Sequence, residues 1–284
     1  MKKLSFFLAA ICAMSAFTTA ASAAASQKES FDIPYAVTAP TIDGKAGSGE
    51  WDNALVRTLT ASNVDEPTNT GAKTEGATFS WMWDDKGVYF LAEVNDTTPM
   101  SGAHKTGNGS YNVKDGIQFC IYGNNTVSGN ANGTLLFYSV VPKTSDGTPA
   151  IGEHFCYGNG SAGKDVPASD AQIAAEYTDG GYVLEGFIAK ESLTKPNPAV
   201  DFKAGGSFAL GNIIMDEFDG KTTALFTDTA WFSGQNSNMY TLSADKKAGY
   251  VEPEASPSTA DPVILSALAS IAAGAAAIVI KKRR

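Results

Sequence analysis

Between Ser30 and Ala248 the chain shows little helical periodicity, and short apolar or alternating runs are separated by turns rich in Gly, Asn, Asp and Ser. This pattern predicts an all-β domain of about ten short antiparallel strands, a β-sandwich or jelly roll. Only Lys190–Leu193 is expected to form a helical turn. The predicted strands are Phe31–Val37, Ala77–Trp83, Val88–Asn95, Gly116–Tyr122, Thr134–Val141, His154–Tyr157, Ala171–Tyr177, Tyr182–Ala189, Ser207–Met215, Thr222–Thr227 and Tyr240–Ser243.

Two of the predicted turns carry local signals for tight β-hairpins. The sequence Asp84-Asp85-Lys86-Gly87 separates two apolar runs, and Asp179-Gly180-Gly181 separates two others. Asp and Gly adopt the positive φ angles that short hairpin loops require. We therefore expect the strands on either side of each turn to pair with each other.

The N-terminus has the pattern of a secretory signal. Two lysines precede an apolar run from Phe6 to Phe17, and the small-residue sequence Ala21-Ser22-Ala23 follows as a cleavage site. A retained anchor helix is the alternative. Cleavage after residue 23 would begin the exported domain at residue 24.

The C-terminus has the pattern of a membrane anchor. Residues 262–280 carry no charge and are long enough for one membrane-spanning helix, and the basic tail 281–284 is expected to stay in the cytoplasm. The predicted organisation is a signal peptide at 1–23, a β-sandwich domain at 24–249, a linker at 250–261, a transmembrane helix at 262–280 and a cytoplasmic tail at 281–284.

The linker contains the sequence Ser256-Pro257-Ser258-Thr259-Ala260 directly before the apolar run. A pentapeptide of this kind, followed by a span and a basic tail, resembles the cell-wall sorting signal of Gram-positive surface proteins, with Ser and Ala in place of the usual Leu and Gly. The resemblance implies that a sortase cleaves between Thr259 and Ala260 and joins Thr259 to peptidoglycan. A plain membrane anchor is the alternative, and either one holds the domain at the cell surface.

Charge and cysteine content narrow the function classes. The whole chain has a formal net charge of −9, and six of its basic residues stand at the two ends, so the middle is more acidic still. Nucleic-acid binding is therefore not expected, because it relies on Lys and Arg neutralising phosphates. Cys120 and Cys156 remain after signal cleavage and could form one disulfide or stay as two thiols, and no Cys/His cluster indicates zinc.

Four local patterns follow one another along the predicted domain. They are Ile42-Asp43-Gly44 with Glu50-Trp51, Ala77 to Asp84 with Glu93-Val94-Asn95-Asp96, Tyr111 before Asp115 to Tyr122, and Gly181 to Phe187 with Gly211-Asn212 and Trp231. Their order and spacing resemble those of family 9 carbohydrate-binding modules over about Asp32 to Ser243. The resemblance implies a β-sandwich that holds a sugar between two aromatic side chains, with polar groups at the rim.

The resemblance also implies which residues form the site. Tyr111 takes the place of the first aromatic, Trp231 or Phe232 that of the second, and Gln118 that of the family's glutamate. The Gly-, Ser- and Asn-rich loop around Tyr111 favours an exposed ring, and a tyrosine packed against the sheet edge is the alternative. The strand Thr134–Val141 lacks the arginine that sugar-binding members carry. The predicted carbohydrate-binding residues are Tyr111, Gln118, Trp231, Asn112, Asp115 and Trp83.

Taken together, these patterns predict a secreted, surface-anchored, non-catalytic module that holds polysaccharide or oligosaccharide near the cell in support of carbohydrate catabolism. No motif selects a catalytic pair from the many carboxylates, and no Ser/His/Asp triad can be assigned. The expected partners are a glycan, a sortase and peptidoglycan or the membrane, with no cofactor beyond the structural calcium that the resemblance allows. The alternative function is an adhesin or structural surface protein that binds a protein or glycoprotein.

Overall fold

The computed structural model describes residues 29–60, 74–98, 111, 115–123, 135–156, 161–194, 200–217, 223–227 and 238–244, all within the compact unit Met1–Lys246. These residues form thirteen strands and one short helix. In chain order they are β1 Ser30–Ile33, β2 Leu55–Leu59, β3 Thr74–Asp84, β4 Gly87–Asp96, β5 Gly116–Tyr122, β6 Leu135–Val141, β7 Ala150–Cys156, β8 Ser161–Asp165, β9 Ala171–Thr178, β10 Gly181–Ala189, α1 Lys190–Thr194, β11 Ser207–Glu217, β12 Thr223–Thr227 and β13 Asn238–Leu242.

The strands form two sheets, as the sequence predicted. The larger sheet has the order β1-β13-β11-β5-β6-β7-β8, with β12 also paired to β11, and the smaller sheet has the order β2-β3-β4-β10-β9. Every pairing is antiparallel except that of β1 with β13. The predicted all-β class is confirmed, with β2 and β8 as strands that the sequence pattern did not reveal.

Both predicted hairpins are confirmed, and so is the helical turn at α1. Asp84 is paired with Gly87, which leaves Asp85 and Lys86 as the loop between β3 and β4. Asp84 fixes this turn because its Oδ1 accepts hydrogen bonds from the backbone N–H groups of Lys86 and Gly87, at 2.8 and 3.2 Å. Gly181 begins β10 at a φ of 151°.

Aromatic side chains fill the space between the sheets. The ring of Phe119 on β5 contacts Phe79, Trp81 and Phe90 of the smaller sheet, with centroid distances of 4.8–6.2 Å. The Trp81 indole N–H donates to Asn212 Oδ1 at 3.1 Å, so the one polar atom of that ring is satisfied across the interface. Each fully buried large side chain contributes about 1.5–3 kcal/mol, so these ring contacts stabilise the packing of the two sheets.

A loop from residue 34 to residue 54 covers part of the outer face of the smaller sheet. Its Trp51 packs on Met82, Tyr89 and Leu91, and its chain is fixed by Glu185 on β10. Glu185 Oε2 accepts hydrogen bonds from the backbone N–H groups of residues 43 and 44 at 2.8 and 2.9 Å, and Oε1 accepts one from the Trp51 indole at 3.0 Å. Burial raises the pKa of Glu185, and these three donors partly offset that effect.

The backbone positions of Cys120 and Cys156 show whether these residues can form a disulfide with each other. Cys120 lies on β5 and Cys156 on β7, and β6 runs between them. Two strand spacings amount to about 10 Å, beyond the roughly 7 Å that a disulfide can join. Cys120 and Cys156 therefore do not form a disulfide with each other in this fold.

The predicted signal peptide, linker, sorting motif, transmembrane helix and tail lie outside the described residues. Among the residues that the structure does describe, no helix is long and apolar enough to cross a membrane.

Glu185→Ala should lower the free energy of unfolding by roughly 2–5 kcal/mol, because three buried N–H donors lose their acceptor. Urea denaturation of the full chain measures this change. Glu176→Ala, an exposed position on neighbouring β9, is the control and should change stability by less than about 0.5 kcal/mol. Equal effects of the two substitutions would contradict the role given to Glu185.

Candidate functional site

Three buried carboxylates meet at one end of the sandwich. Asp96 ends β4 in the smaller sheet, Asp115 immediately precedes β5, and Asp216 lies on β11 in the larger sheet. One oxygen from each lies within 4.8 Å of the others, and all three residues are buried. We call this group the carboxylate cluster; it joins the two sheets.

The electrostatics of the carboxylate cluster are unfavourable when all three groups are charged. Burial, together with the charges of Asp96, Asp216 and Glu217, raises the pKa of Asp115 to about 7. The backbone N–H of Glu217 donates to Asp115 Oδ1 at 2.7 Å and opposes this rise. The cluster therefore favours either a bound proton or a bound cation.

Two tyrosines of the β9–β10 hairpin lie beside the carboxylate cluster. The Tyr182 hydroxyl donates to the carbonyl of Gly116 at 3.3 Å, next to Asp115. Tyr177 packs against Tyr182 with a centroid distance of 6.3 Å and is 48% exposed. Burial, together with the Asp115 and Asp96 charges, raises the pKa of Tyr177 to about 12, so its hydroxyl stays protonated at neutral pH.

The donor set of the carboxylate cluster fits a hard divalent cation. Carboxylate oxygens are the ligands that calcium prefers, and a calcium site draws further oxygens from backbone carbonyls and water. Asp96 Oδ1 already accepts hydrogen bonds from the backbone N–H and the hydroxyl of Thr98, both at 2.8 Å, so its carboxylate is held in place. The residues present therefore suit calcium.

A second group of predicted residues lies on the outer face of the larger sheet, close to the same end. Gln118 lies opposite Ser139 in the β5–β6 pairing, and its amide Nε2 donates to Ser139 Oγ at 2.9 Å. Gln118 is 1% exposed, and its Oε1 has no hydrogen-bond partner among the described residues. Tyr111 packs on Val141 and Met215 of this face and is fully buried.

The structure places the predicted site residues in three different environments. Tyr111 and Gln118 share the outer face of the larger sheet, and the Tyr111 ring is buried there, which agrees with the alternative of a tyrosine packed against the sheet. Asp115 belongs to the carboxylate cluster and braces the backbone of Glu217. Asn112, Trp231, Thr259 and Ala260 lie outside the described residues.

The assignment of Trp83 to the sugar site is wrong. Trp83 is buried between the sheets, where its indole N–H donates to the carbonyl of Ser243 at 2.8 Å and its ring contacts Tyr35 and Phe202. Side chains two residues apart on a strand share one face, and Trp81 at that spacing lies in the same core. No face of the Trp83 ring is left for a ligand.

Two residues of these groups were not singled out from the sequence. Asp216 follows a run of apolar residues on β11, and a charged group so placed on a buried strand is a recognisable signal. Its meaning depends on the β5–β11 register, which pairs Met215 with Gly116 and so brings Asp216 to Asp115. Ser139 likewise acquires a role only through its pairing with Gln118.

Comparison with known proteins identifies the family of this chain. Residues 42–241 match the family described as "Carbohydrate family 9 binding domain-like". The chain belongs to this family. A search of curated proteins found no match.

Solved structures of the same fold are also similar to the chain. A family 9 carbohydrate-binding module from Caldicellulosiruptor kristjanssonii in complex with cellotriose has a TM-score of 0.54 and 18% identity, covering 80% of this chain and 100% of that module. A family 9 module from that organism in complex with glucose has a TM-score of 0.54 and 17% identity, covering 79% of this chain and 100% of that module. At these identities the likeness shows a shared fold.

Membership of the carbohydrate family 9 binding domain-like group gives the four sequence patterns a structural meaning. The first and fourth patterns meet where Glu185 binds the backbone at residue 43 and the Trp51 indole. In the second pattern, Asp84 closes a hairpin, and its Oδ2 accepts a hydrogen bond from the Tyr89 hydroxyl at 2.9 Å. These patterns therefore build the fold, and they do not by themselves identify a sugar.

Metal-free protein should become less stable as the pH rises from about 4 to about 7. The folded state keeps a proton on Asp115 in this range, because the pKa of Asp115 is about 7, whereas the unfolded chain has already released it. Urea denaturation in a chelator at pH 5 and pH 8 measures the difference. Asp115→Asn should reduce this pH dependence, and an unchanged dependence would contradict the assignment.

Proposed function

We propose that this protein is a non-catalytic carbohydrate-binding module that holds polysaccharide or oligosaccharide at the cell surface. The observation that carries the proposal is the buried amide of Gln118, whose Oε1 has no partner among the described residues. It lies on the strand position to which the resemblance assigns a sugar-binding glutamate. Family membership and the sugar complexes of similar modules support the ligand class.

The proposed sugar site is the outer face of the larger sheet near Gln118 and Tyr111. Gln118 would supply an acceptor for a sugar hydroxyl, and Ser139 holds its amide in place. Because Gln118 and Tyr111 are buried, we assign them to the floor of the site. The predicted Asn112 and Trp231 would supply the rim, with the Trp231 ring stacking on the apolar face of the sugar.

The carboxylate cluster is proposed to hold a structural calcium ion. Asp96, Asp115 and Asp216 would bind it through carboxylate oxygens, and the ion would supply the positive charge that three buried carboxylates require. Since Asp115 immediately precedes the strand that carries Gln118 and follows Tyr111 by four residues, the ion would also fix the edge of the sugar site.

Surface attachment belongs to the same proposal. The signal-like residues 1–23 would direct export, the motif at Thr259 and Ala260 would be cleaved by a sortase, and peptidoglycan or the membrane would retain the domain. The bound glycan would then be held close to hydrolases and transporters of the cell.

An adhesin function is the second candidate, and the outer face of the smaller sheet favours it. Below the loop at residues 34–54, neighbouring strands present the exposed side chains of Thr58, Glu93, Glu176 and Thr178 and the half-buried Val183. A flat polar face of this kind suits a protein partner better than it suits a single sugar chain.

Gln118→Leu should weaken the binding of a neutral glycan by roughly two- to tenfold, because one hydrogen bond to the ligand is lost at nearly constant volume. A glycan array with the full chain in calcium identifies the ligand, and titration calorimetry gives the affinities. Asn53→Leu, the same type of change in the loop over the other sheet, is the control and should bind as the parent does.

Two results would overturn this proposal. Affinity unchanged by Gln118→Leu would remove the outer face of the larger sheet as the site. Absence of binding to every glycan, by protein that unfolds cooperatively, would leave the adhesin as the better candidate.

A further inference from the structure

A groove runs along the side of the sandwich, and its lining includes neither Gln118 nor a residue of the carboxylate cluster. It lies where the β6–β7 turn and β7 of the larger sheet face the first residues of β9 in the smaller sheet. Its volume is about 400 Å³, within the range of small-ligand sites. The lining residues are Thr144, Thr148, Pro149, Ala150, Ile151, Val166, Ala168, Ala171, Gln172 and Ile173.

A smaller pocket of about 150 Å³ continues the groove on the other side of Val166, which lines both. It is bounded by Tyr138, Glu153, Pro167, Asp170, Glu191 and Ser192. The larger cavity is neutral, with aliphatic walls, hydroxyl groups and an amide. The smaller cavity is acidic.

Hydrogen bonds within the protein fix the walls of this groove. The Tyr138 hydroxyl donates to the carbonyl of Ser192 at 3.1 Å, and Ser192 Oγ donates to the carbonyl of Asp170 at 3.3 Å. At the other end Thr144 Oγ1 donates to Asp146 Oδ1 at 2.7 Å and so closes the β6–β7 turn. The groove is thus preformed, which lowers the entropic cost of filling it.

The acidic part of the groove suits a positively charged ligand group. Glu153 lies opposite Lys164 in the β7–β8 pairing. Asp170 Oδ1 accepts a hydrogen bond from the Ser169 hydroxyl at 3.0 Å, and among the described residues neither Asp170 nor Glu191 forms an ion pair. The nearest basic residue in sequence, Lys190, directs its ammonium group towards the ring of Phe202, 5.7 Å from the centroid. A ligand that brings an ammonium group to Asp170 and Glu191 would gain charge-assisted hydrogen bonds.

An extended peptide is a poor occupant, although β9 is the edge of its sheet. Strand addition needs a continuous open edge. The loop over the smaller sheet blocks this edge, because Gly44 packs so closely on the backbone of Ala175 that an added Cβ would lie 2.9 Å from it. The start of β9, at residues 171–173, lines the groove.

We propose that this groove is a second glycan site, which takes a short oligosaccharide carrying an unacetylated amino group. The amine would lie between Asp170 and Glu191. Sugar hydroxyls would bond to the Gln172 amide and to Thr148, and the C–H faces of the rings would pack on Ile151, Val166 and Ile173. The site is separate from Gln118 and does not depend on the function proposed for that residue.

Titration of the full chain with the trimer of glucosamine, at low ionic strength and about pH 6, tests the proposal. Wild type should bind it saturably, and the trimer of N-acetylglucosamine should bind more weakly. The double variant Asp170→Asn/Glu191→Gln should weaken binding of the glucosamine trimer by roughly three- to tenfold, the scale of two partly exposed ion pairs, and added salt should weaken wild-type binding.

The double variant Asp32→Asn/Asp179→Asn removes the same charge at exposed positions away from the groove and should bind as wild type does. Loss of binding in both double variants would show that only the net negative charge attracts the amine, and would overturn the proposal. So would equal affinity for the two trimers, or no saturable binding by wild type. The double variant Asp170→Asn/Glu191→Gln should leave the affinity for the neutral glycan of the Gln118→Leu experiment unchanged, which separates this site from the one proposed above.

Discussion

Three carboxylates buried within 4.8 Å of one another impose the strongest electrostatic constraint on this fold. Asp96 comes from one sheet and Asp115 and Asp216 from the other, so the end of the sandwich closes only when their repulsion is cancelled. A proton on Asp115 cancels part of it, and calcium would cancel it more completely. The state of this cluster therefore controls how firmly β4, β5 and β11 are held together beside Tyr111.

The described residues of the first, second and fourth sequence patterns serve the architecture. Glu185 binds a loop through three donors, Asp84 closes a hairpin, and Trp83 fills the core. In the proposed function, ligand recognition would depend on a much smaller set around Gln118, whose neutral amide is paired with the Ser139 hydroxyl. This division explains why a family can keep its fold while its members change their ligands.

Local chemistry made part of this structure predictable from sequence. The hairpins at Asp84 and Asp179 were predictable because the turn residues themselves determine the loop. β8 could not be predicted, because its sequence SAGKD has no apolar pattern. It forms a strand through its pairing with β7. The burial of Tyr111 depends on Val141 and Met215, which are distant in sequence, and the carboxylate cluster depends on strand register in the same way.

The most direct test of the account is the metal content of the protein. Full-length chain equilibrated with calcium and then desalted can be assayed by inductively coupled plasma mass spectrometry. If the carboxylate cluster is a calcium site, wild type should retain calcium at a fixed ratio to protein, and Asp96→Asn/Asp216→Asn should lose the equivalent of one ion per chain. Wild type without calcium, or a variant that retains the same amount, would contradict this explanation of how the sandwich is closed.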